Sequence, residues 1–275
     1  MKLRKILTLS LLLTTFGLMA QDFQGLAVYQ SKTKLDFDMS TTQMTPDQIE
    51  RFKSRMKSRL ERVYELNFNR QHSTFKAQEQ LAAPGSGGGG SWGNSSGVSF
   101  KDISTKTFAK ESEIVGKNFL IQDTLQTYNW QMTSESKMIG KYLVFKATAA
   151  VTAKENPWAR WGRSRNNDKK DDSTEVSEDL PKVEFITAWY TPDIPVANGP
   201  ADYWGLPGLI LEVSQGNTTM LCTKVVMNPK EKAKIAAPKK GQKVTQTEYD
   251  ELFETTMTEM RSRYSRGRGG NRGRG

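Results

Sequence analysis

Apolar and polar residues alternate with a period of two along most of this chain. Tyr64, Leu66 and Phe68 are separated by polar residues, the pattern of a strand with one buried face. Similar runs recur near 23–30, 73–78, 99–103, 112–122, 126–133, 141–151, 182–190, 207–214 and 218–227. Two stretches switch to a helical period. Thr45 reads as a cap, Pro46 as the first helical residue and Gln48 as the close of a capping box; Ile49, Phe52, Met56 and Leu60 then share a face. Thr245 to Glu248 opens the second helix, with Tyr249, Phe253, Met257 and Met260 along one side. There is no β-helix-β rhythm. The pattern predicts an α+β, strand-dominated domain. It is a curved antiparallel sheet, a half-barrel by preference, with one or two packed helices.

The ends differ from the body. Residues 1–20 have a basic start (Lys2, Arg4, Lys5), a short apolar run and Ala20 at the expected cut, the plan of a signal peptide. An exported protein of the periplasm, outer membrane or cell surface is therefore expected. Residues 21–260 read as one β-rich domain. It carries loop insertions at 82–97, rich in Gly and Ser, and at 154–181, polar and charged. Residues 261–275 alternate Arg with Gly and Ser and read as a disordered tail.

Charge follows the same division. The chain nets +10, of which the signal supplies +3 and the tail +6, leaving +1 for 21–260. The basic character belongs to the ends, so no nucleic-acid partner is expected. Arg261, Arg263, Arg266, Arg268, Arg272 and Arg274 form an electrostatic element suited to anionic lipid, lipopolysaccharide phosphates or an acidic protein surface. Trp158, Arg160, Trp161 and Arg163 in the second insertion either join such contacts or pack back on the body.

Residues with catalytic chemistry are sparse. One cysteine, Cys222, excludes an internal disulfide and a cysteine-based metal site, and it reads as a small core hydrophobe. The only histidine is His72. No nucleophile elbow, paired-histidine motif or nucleotide loop is present. Asp193, Asp202 and Glu212 could supply an acid/base pair only if folding brought two of them together. The expectation is a binding protein without catalytic residues, cofactor or metal, with a carboxylate hydrolase as a remote alternative.

The densest signal lies at 188–213, where Pro192, Pro195, Pro200 and Pro207 interleave with Gly199, Gly205 and Gly208. Such spacing marks a fixed backbone path rather than a flexible loop. Trp189, Tyr190, Tyr203 and Trp204, with Gly205, Leu206, Pro207, Gly208, Leu209 and Ile210, are the partner- or ligand-binding candidates. Their competing reading is a turn feeding a core strand. The hexapeptide Gly205–Ile210, with its flanks Ala188–Pro192, Ile194-Pro195 and Gly199-Pro200 and an upstream block of Trp130, Glu135, Ile139-Gly140 and Lys146–Thr148, resembles the GLPGLI family of Bacteroidota. The resemblance covers about residues 21–230. It implies an exported envelope protein, often encoded near TonB-dependent outer-membrane receptors, and no known activity. The cysteine expected before Lys146-Ala147 is replaced here by Val144 or Phe145, so no role of that cysteine carries over. The expected function is thus an envelope binding or accessory protein for an outer-membrane partner such as a TonB-dependent receptor. A carrier of an apolar lipid is the other class: Val183, Phe185, Ile186, Trp189 and Tyr190 fall on both sheet faces.

Overall fold

The computed structural model describes residues 23–34, 45–51, 60–78, 97–152 and 183–269, the last with backbone alone at 261 and 264–269. The expected signal peptide 1–20, the expected insertion 154–181 and nearly all of the expected insertion 82–97 lie outside these. So do Trp158, Trp161, Arg272 and Arg274.

Among the described residues, twelve strands form one open sheet that does not close into a barrel. They are β1 (Gly25–Thr33), β2 (Glu61–Phe68), β3 (His72–Ala77), β4 (Ser99–Asp102), β5 (Thr107–Ile114), β6 (Lys117–Thr124), β7 (Gln131–Ile139), β8 (Tyr142–Thr152), β9 (Val183–Thr191), β10 (Leu209–Gln215), β11 (Thr218–Met227) and β12 (Gln242–Val244). The order is β12-β6-β5-β4-β3-β2-β1-β11-β10-β9-β8-β7. Two meanders, β1–β6 and β7–β11, are therefore joined where the first strand pairs with the eleventh. All pairings are antiparallel except β12 on β6.

Short turns explain the meanders. Val115 (φ 48°) and Gly116 (φ 79°) make a two-residue hairpin between β5 and β6. The run expected at 112–122 is thus two strands, because a valine in the left-handed region disguises the turn. The run expected at 126–133 is shifted: residues 125–130 are irregular and β7 starts at Gln131.

Both helix starts fold as the capping pattern requires. The Thr45 amide donates to Gln48 Oε1 (3.0 Å) and the Gln48 amide to Thr45 Oγ1 (3.4 Å), opening helical residues 46–51. At the other end the Thr245 amide donates to Glu248 Oε2 (2.7 Å) and the Glu248 amide to Thr245 Oγ1 (3.2 Å). The helix that follows, Gln246–Gly269, lays Tyr249, Phe253 and Met257 over Ile114, Phe119, Ile121 and Val244. Tyr249 also shares a 2.6 Å hydroxyl hydrogen bond with Ser112. This helix continues to Gly269, so the first nine residues expected to be disordered are helical in backbone. Arginine and serine do not interrupt a helix, and the Gly–Arg alternation begins only at Gly267. Arg263 lies 3.9 Å from Glu259, one turn earlier.

The main core gathers Ala27, Tyr29, Leu66, Phe68, Phe75, Val144, Leu209, Leu211 and Cys222 from the strands, and Ile194 and Val196 from the segment joining β9 to β10. Cys222 is buried there, and burial pushes its thiol up to about 11.

Candidate functional site

The 17 residues 192–208 connect two neighbouring antiparallel strands. A hairpin needs two to five residues for that. The surplus folds back over the sheet, and prolines and glycines fix its route. Leu209 N donates to Ile194 O (3.0 Å), Ile210 N to Asn198 O (3.0 Å) and Gly205 N to Ala197 O (3.2 Å), and Asn198 bridges to Trp204. The segment is a closed loop with its own ladder.

Its underside reaches the opposite half of the sheet. Ser73 Oγ on β3 donates to Asn198 Oδ1 (3.3 Å). Lys101 on β4 donates from Nζ to the carbonyls of Gly199 (2.7 Å) and Tyr203 (3.1 Å). Tyr29 on β1 donates its hydroxyl to Ile210 O (2.7 Å). β3 and β10 are four strand steps apart, about 19 Å along the sheet. The segment therefore ties together strands that do not pair.

Lys101 is 1% exposed. Burial lowers its ammonium from 10.5 to about 7, and the nearby Asp202 carboxylate only partly opposes this. A neutral amine carries two N–H bonds, which match the two carbonyls it serves. Asn198 is fully buried, and among the described residues its Nδ2 has no hydrogen-bond partner; nor does Ser99 Oγ, two residues before Lys101 on β4. The region under the loop is therefore a polar pocket of the core.

The hexapeptide packs inward. Leu206, Leu209 and Ile210 have no exposed surface. Gly205 has φ +94°, a region that L side chains avoid. A Cβ on Gly208 would overlap the Thr191 carbonyl. Only Pro207 and Gly205 are exposed. Trp204 is 8% exposed, and its indole N–H donates to Gln126 O (2.8 Å) while its carbonyl accepts from Trp130 Nε1 (2.9 Å). Tyr190 is buried with Leu206 and Ile210, its hydroxyl 3.6 Å from Met132 Sδ. Tyr203 is half-buried, donates to Gln215 Oε1 (2.7 Å), and has its phenol pushed up to about 12 by burial and by Asp202 and Glu184. Trp189 lies apart, under the Lys137 ammonium (4.2 Å to the ring), which also pairs with Glu212 at 2.5 Å.

The candidates thus fall into buried supports and a half-exposed aromatic group. That group is Tyr128, Trp130 and Tyr203, with Tyr128 5.2 Å from Trp130 and 5.8 Å from Tyr203 between ring centres. The three carboxylates lie in different surroundings. Glu212 pairs with Lys137, Asp202 acts on Tyr128, Tyr203 and Lys101, and Asp193 is exposed, its backbone amide donating to Thr191 Oγ1 (3.3 Å). His72 stacks on Phe100 (5.6 Å), with Nε2 3.5 Å from Asp102 Oδ2. Burial would raise the Asp102 carboxyl, but hydrogen bonds from Ser104 and Thr105 outweigh it and hold the group at about 2. Among the described residues no three His, Cys, Asp or Glu side chains are grouped to hold a metal, and no helix is long and apolar enough to cross a membrane.

Sequence reasoning missed Lys101, Ser73 and Asn198. Ser99-Phe100-Lys101-Asp102 alternates as a strand should, but with its phase inverted: Ser99 and Lys101 are buried, while Phe100 lies outside on His72. A composition rule places Phe inside.

Among the described residues one sheet edge is open: β7 pairs only with β8 and carries Met132 and Met138, about 60% exposed. Leu143 is directly opposite Met138 on β8 and is also exposed. A register shift between Met132 and Ser136 breaks the edge into two short pairing stretches.

Comparison with known proteins adds little to this geometry. No curated protein matches the chain. Two crystal structures of PNGF-II, in space groups C2 and P21, are similar at 13% and 12% identity with TM-scores of 0.49 and 0.47. Each likeness covers 85% of this chain, which spans only 33% and 34% of those chains. The model of a family described as a protein of unknown function (Porph_ging) matches residues 130–212, a stretch that begins at Trp130 and contains the whole 192–208 segment.

Proposed function

We propose that this chain is an exported cell-envelope binding protein, without catalytic residues, that partners an outer-membrane protein such as a TonB-dependent receptor. The observation that supports it is the open β7 edge with Met132 and Met138 exposed beside it. A free edge offers backbone donors and acceptors to an extended segment of a partner, and methionine adapts its shape to what lies on it. The shift at Met132–Ser136 restrains indiscriminate pairing. In this reading the hexapeptide positions the surface and does not form it, because Leu206, Leu209 and Ile210 are packed inside the chain. At β9 the lipid-carrier alternative rests on the face of Val183 and Phe185, which are 55% and 71% exposed. Ile186 and Tyr190, on one face, are covered by the chain's own Leu206 and Ile210.

The test is affinity purification from the envelope of the source organism with the wild type and with M132D/M138D. Recovery of an outer-membrane protein by the wild type and its loss from the variant is the expected result. Equal recovery of that protein by both would place the docking surface elsewhere.

A further inference from the structure

Residues 228–241 have no helix or strand, yet they are an ordered part of the fold. They leave β11 near the middle of the sheet and arrive at β12 on its edge, passing six strands. Seven strand steps are about 34 Å along the sheet. Fourteen residues reach about 46 Å fully extended, so the strap has little slack. It is pinned at both ends. Asn228 N donates to Gln24 O (2.7 Å), and the Gln24 side-chain amide donates to Ala233 O (2.7 Å). Gly241 has φ +117° and sits so close to β6 that a Cβ would stand 2.6 Å from the Phe119 carbonyl carbon. Pro229 and Pro238 stiffen the path between.

The strap is two-sided. Ala233, Ile235 and Pro238 are partly buried, while Lys230, Lys232, Lys234, Lys239 and Lys240 are exposed, as is Lys243 on β12. With Glu231 as its sole acid, the stretch 228–244 nets +5. The whole of 21–260 nets +1, so the rest of the body nets −4. Residues 51–60, with five basic residues and no acid, also net +5, so the strap is one of two basic stretches in a body that is nearly balanced in total.

We infer that the 228–244 strap is a docking ridge for the surface of an anionic lipid bilayer. A free anion would touch one or two of these lysines; six along a ridge of about 34 Å act together only on charges laid out in a surface. The strap contains no arginine fork and no aromatic ring, the groups that bind phosphate bidentately or stack on bases. Compact ammonium groups on a stiff backbone fit headgroups, where each contributes additively near the surface. The ridge is separate from the β7 edge and stands or falls independently of the partner reading.

The test is co-sedimentation of the processed chain with phosphatidylcholine vesicles and with vesicles also carrying phosphatidylglycerol, over a salt series. The wild type should bind only the anionic vesicles and release with salt. Changing all six lysines to Gln should weaken binding at least about a hundredfold, given roughly fivefold per lysine at a charged surface. The thermal midpoint should stay at the wild-type value, since these side chains are exposed. Deletion of 261–275 should leave a strap-dependent share of the binding. Wild-type affinity in the six-lysine variant, complete loss of binding on tail deletion alone, or tighter binding to a single-stranded oligonucleotide than to the vesicles would each overturn the proposal.

Discussion

Replacing Lys101 with Met should remove a pH dependence that the wild type shows between pH 7 and 9. The folded state holds the Lys101 ammonium at about 7, against 10.5 ordinarily, chiefly because burial disfavours charge. Above pH 7 the folded chain releases this proton while the unfolded chain keeps it. The unfolded state then binds more protons, so stability rises with pH, by about 1.4 kcal/mol per unit. The full effect, reached above pH 10.5, would be about 5 kcal/mol. Other groups oppose it first. Burial raises Cys222 from 9.0 to about 11 and Tyr203 from 10.0 to about 12, and it raises Tyr29 and Tyr128 as well. Their contribution is complete below their ordinary values and is lost as pH rises past them. The usable window is therefore pH 7 to 9, with a gain of about 2 kcal/mol, because Lys101 is already half-titrated at pH 7 and Cys222 begins to oppose it near pH 9. Urea unfolding followed by tryptophan fluorescence at pH 7, 8 and 9 reads it directly. Lys101→Met should flatten the slope. It should also cost stability at pH 9, because the Gly199 and Tyr203 carbonyls lose their donor, about 1–3 kcal/mol for each. A flat wild-type profile, or a variant that keeps the slope, would refute the assignment of Lys101 as a buried amine that titrates under the loop.

The other predictions concern the loop itself. Gly208→Ala should destabilise by about 3 kcal/mol or prevent folding, since backbone atoms of Thr191 stand where the methyl must go. Gly205→Ala should cost only about 1–2 kcal/mol, because its penalty is the +94° φ and a methyl there would make only ordinary contact with the Trp130 ring, at 3.7 Å; circular-dichroism melts of the pair should rank them in that order. Trp204→Ala should cost about 3–5 kcal/mol in denaturant unfolding, as a buried indole with a hydrogen bond is removed. A small effect would mean that this ring is not part of the core.

The fold was largely legible in the alternation of residues. Both capping boxes form as read, and the apolar row Tyr249, Phe253 and Met257 faces the sheet as expected. Three kinds of information were hidden. Turns at Val115-Gly116 depend on a valine accepting positive φ, which no propensity suggests. The pairing of β1 with β11 joins residues about two hundred apart and leaves no local trace. The phase of β4 is inverted by tertiary context: a loop with free carbonyls at Gly199 and Tyr203 needs a donor beneath it, so Lys101 goes inside and Phe100 outside. Trp204 and Leu206 drew attention because they are large and apolar; that property equally suits a core, and the core took them.

Amide hydrogen exchange across 194–210 tests the central claim that this segment is a tie built into the core. The amides of Asn198, Gly205, Leu209 and Ile210 all have backbone acceptors within the segment. They should exchange only as slowly as the amides of β1 and β10, through global unfolding. Exchange at the rate of an exposed loop, with the strands still protected, would contradict the account and return the hexapeptide to the surface.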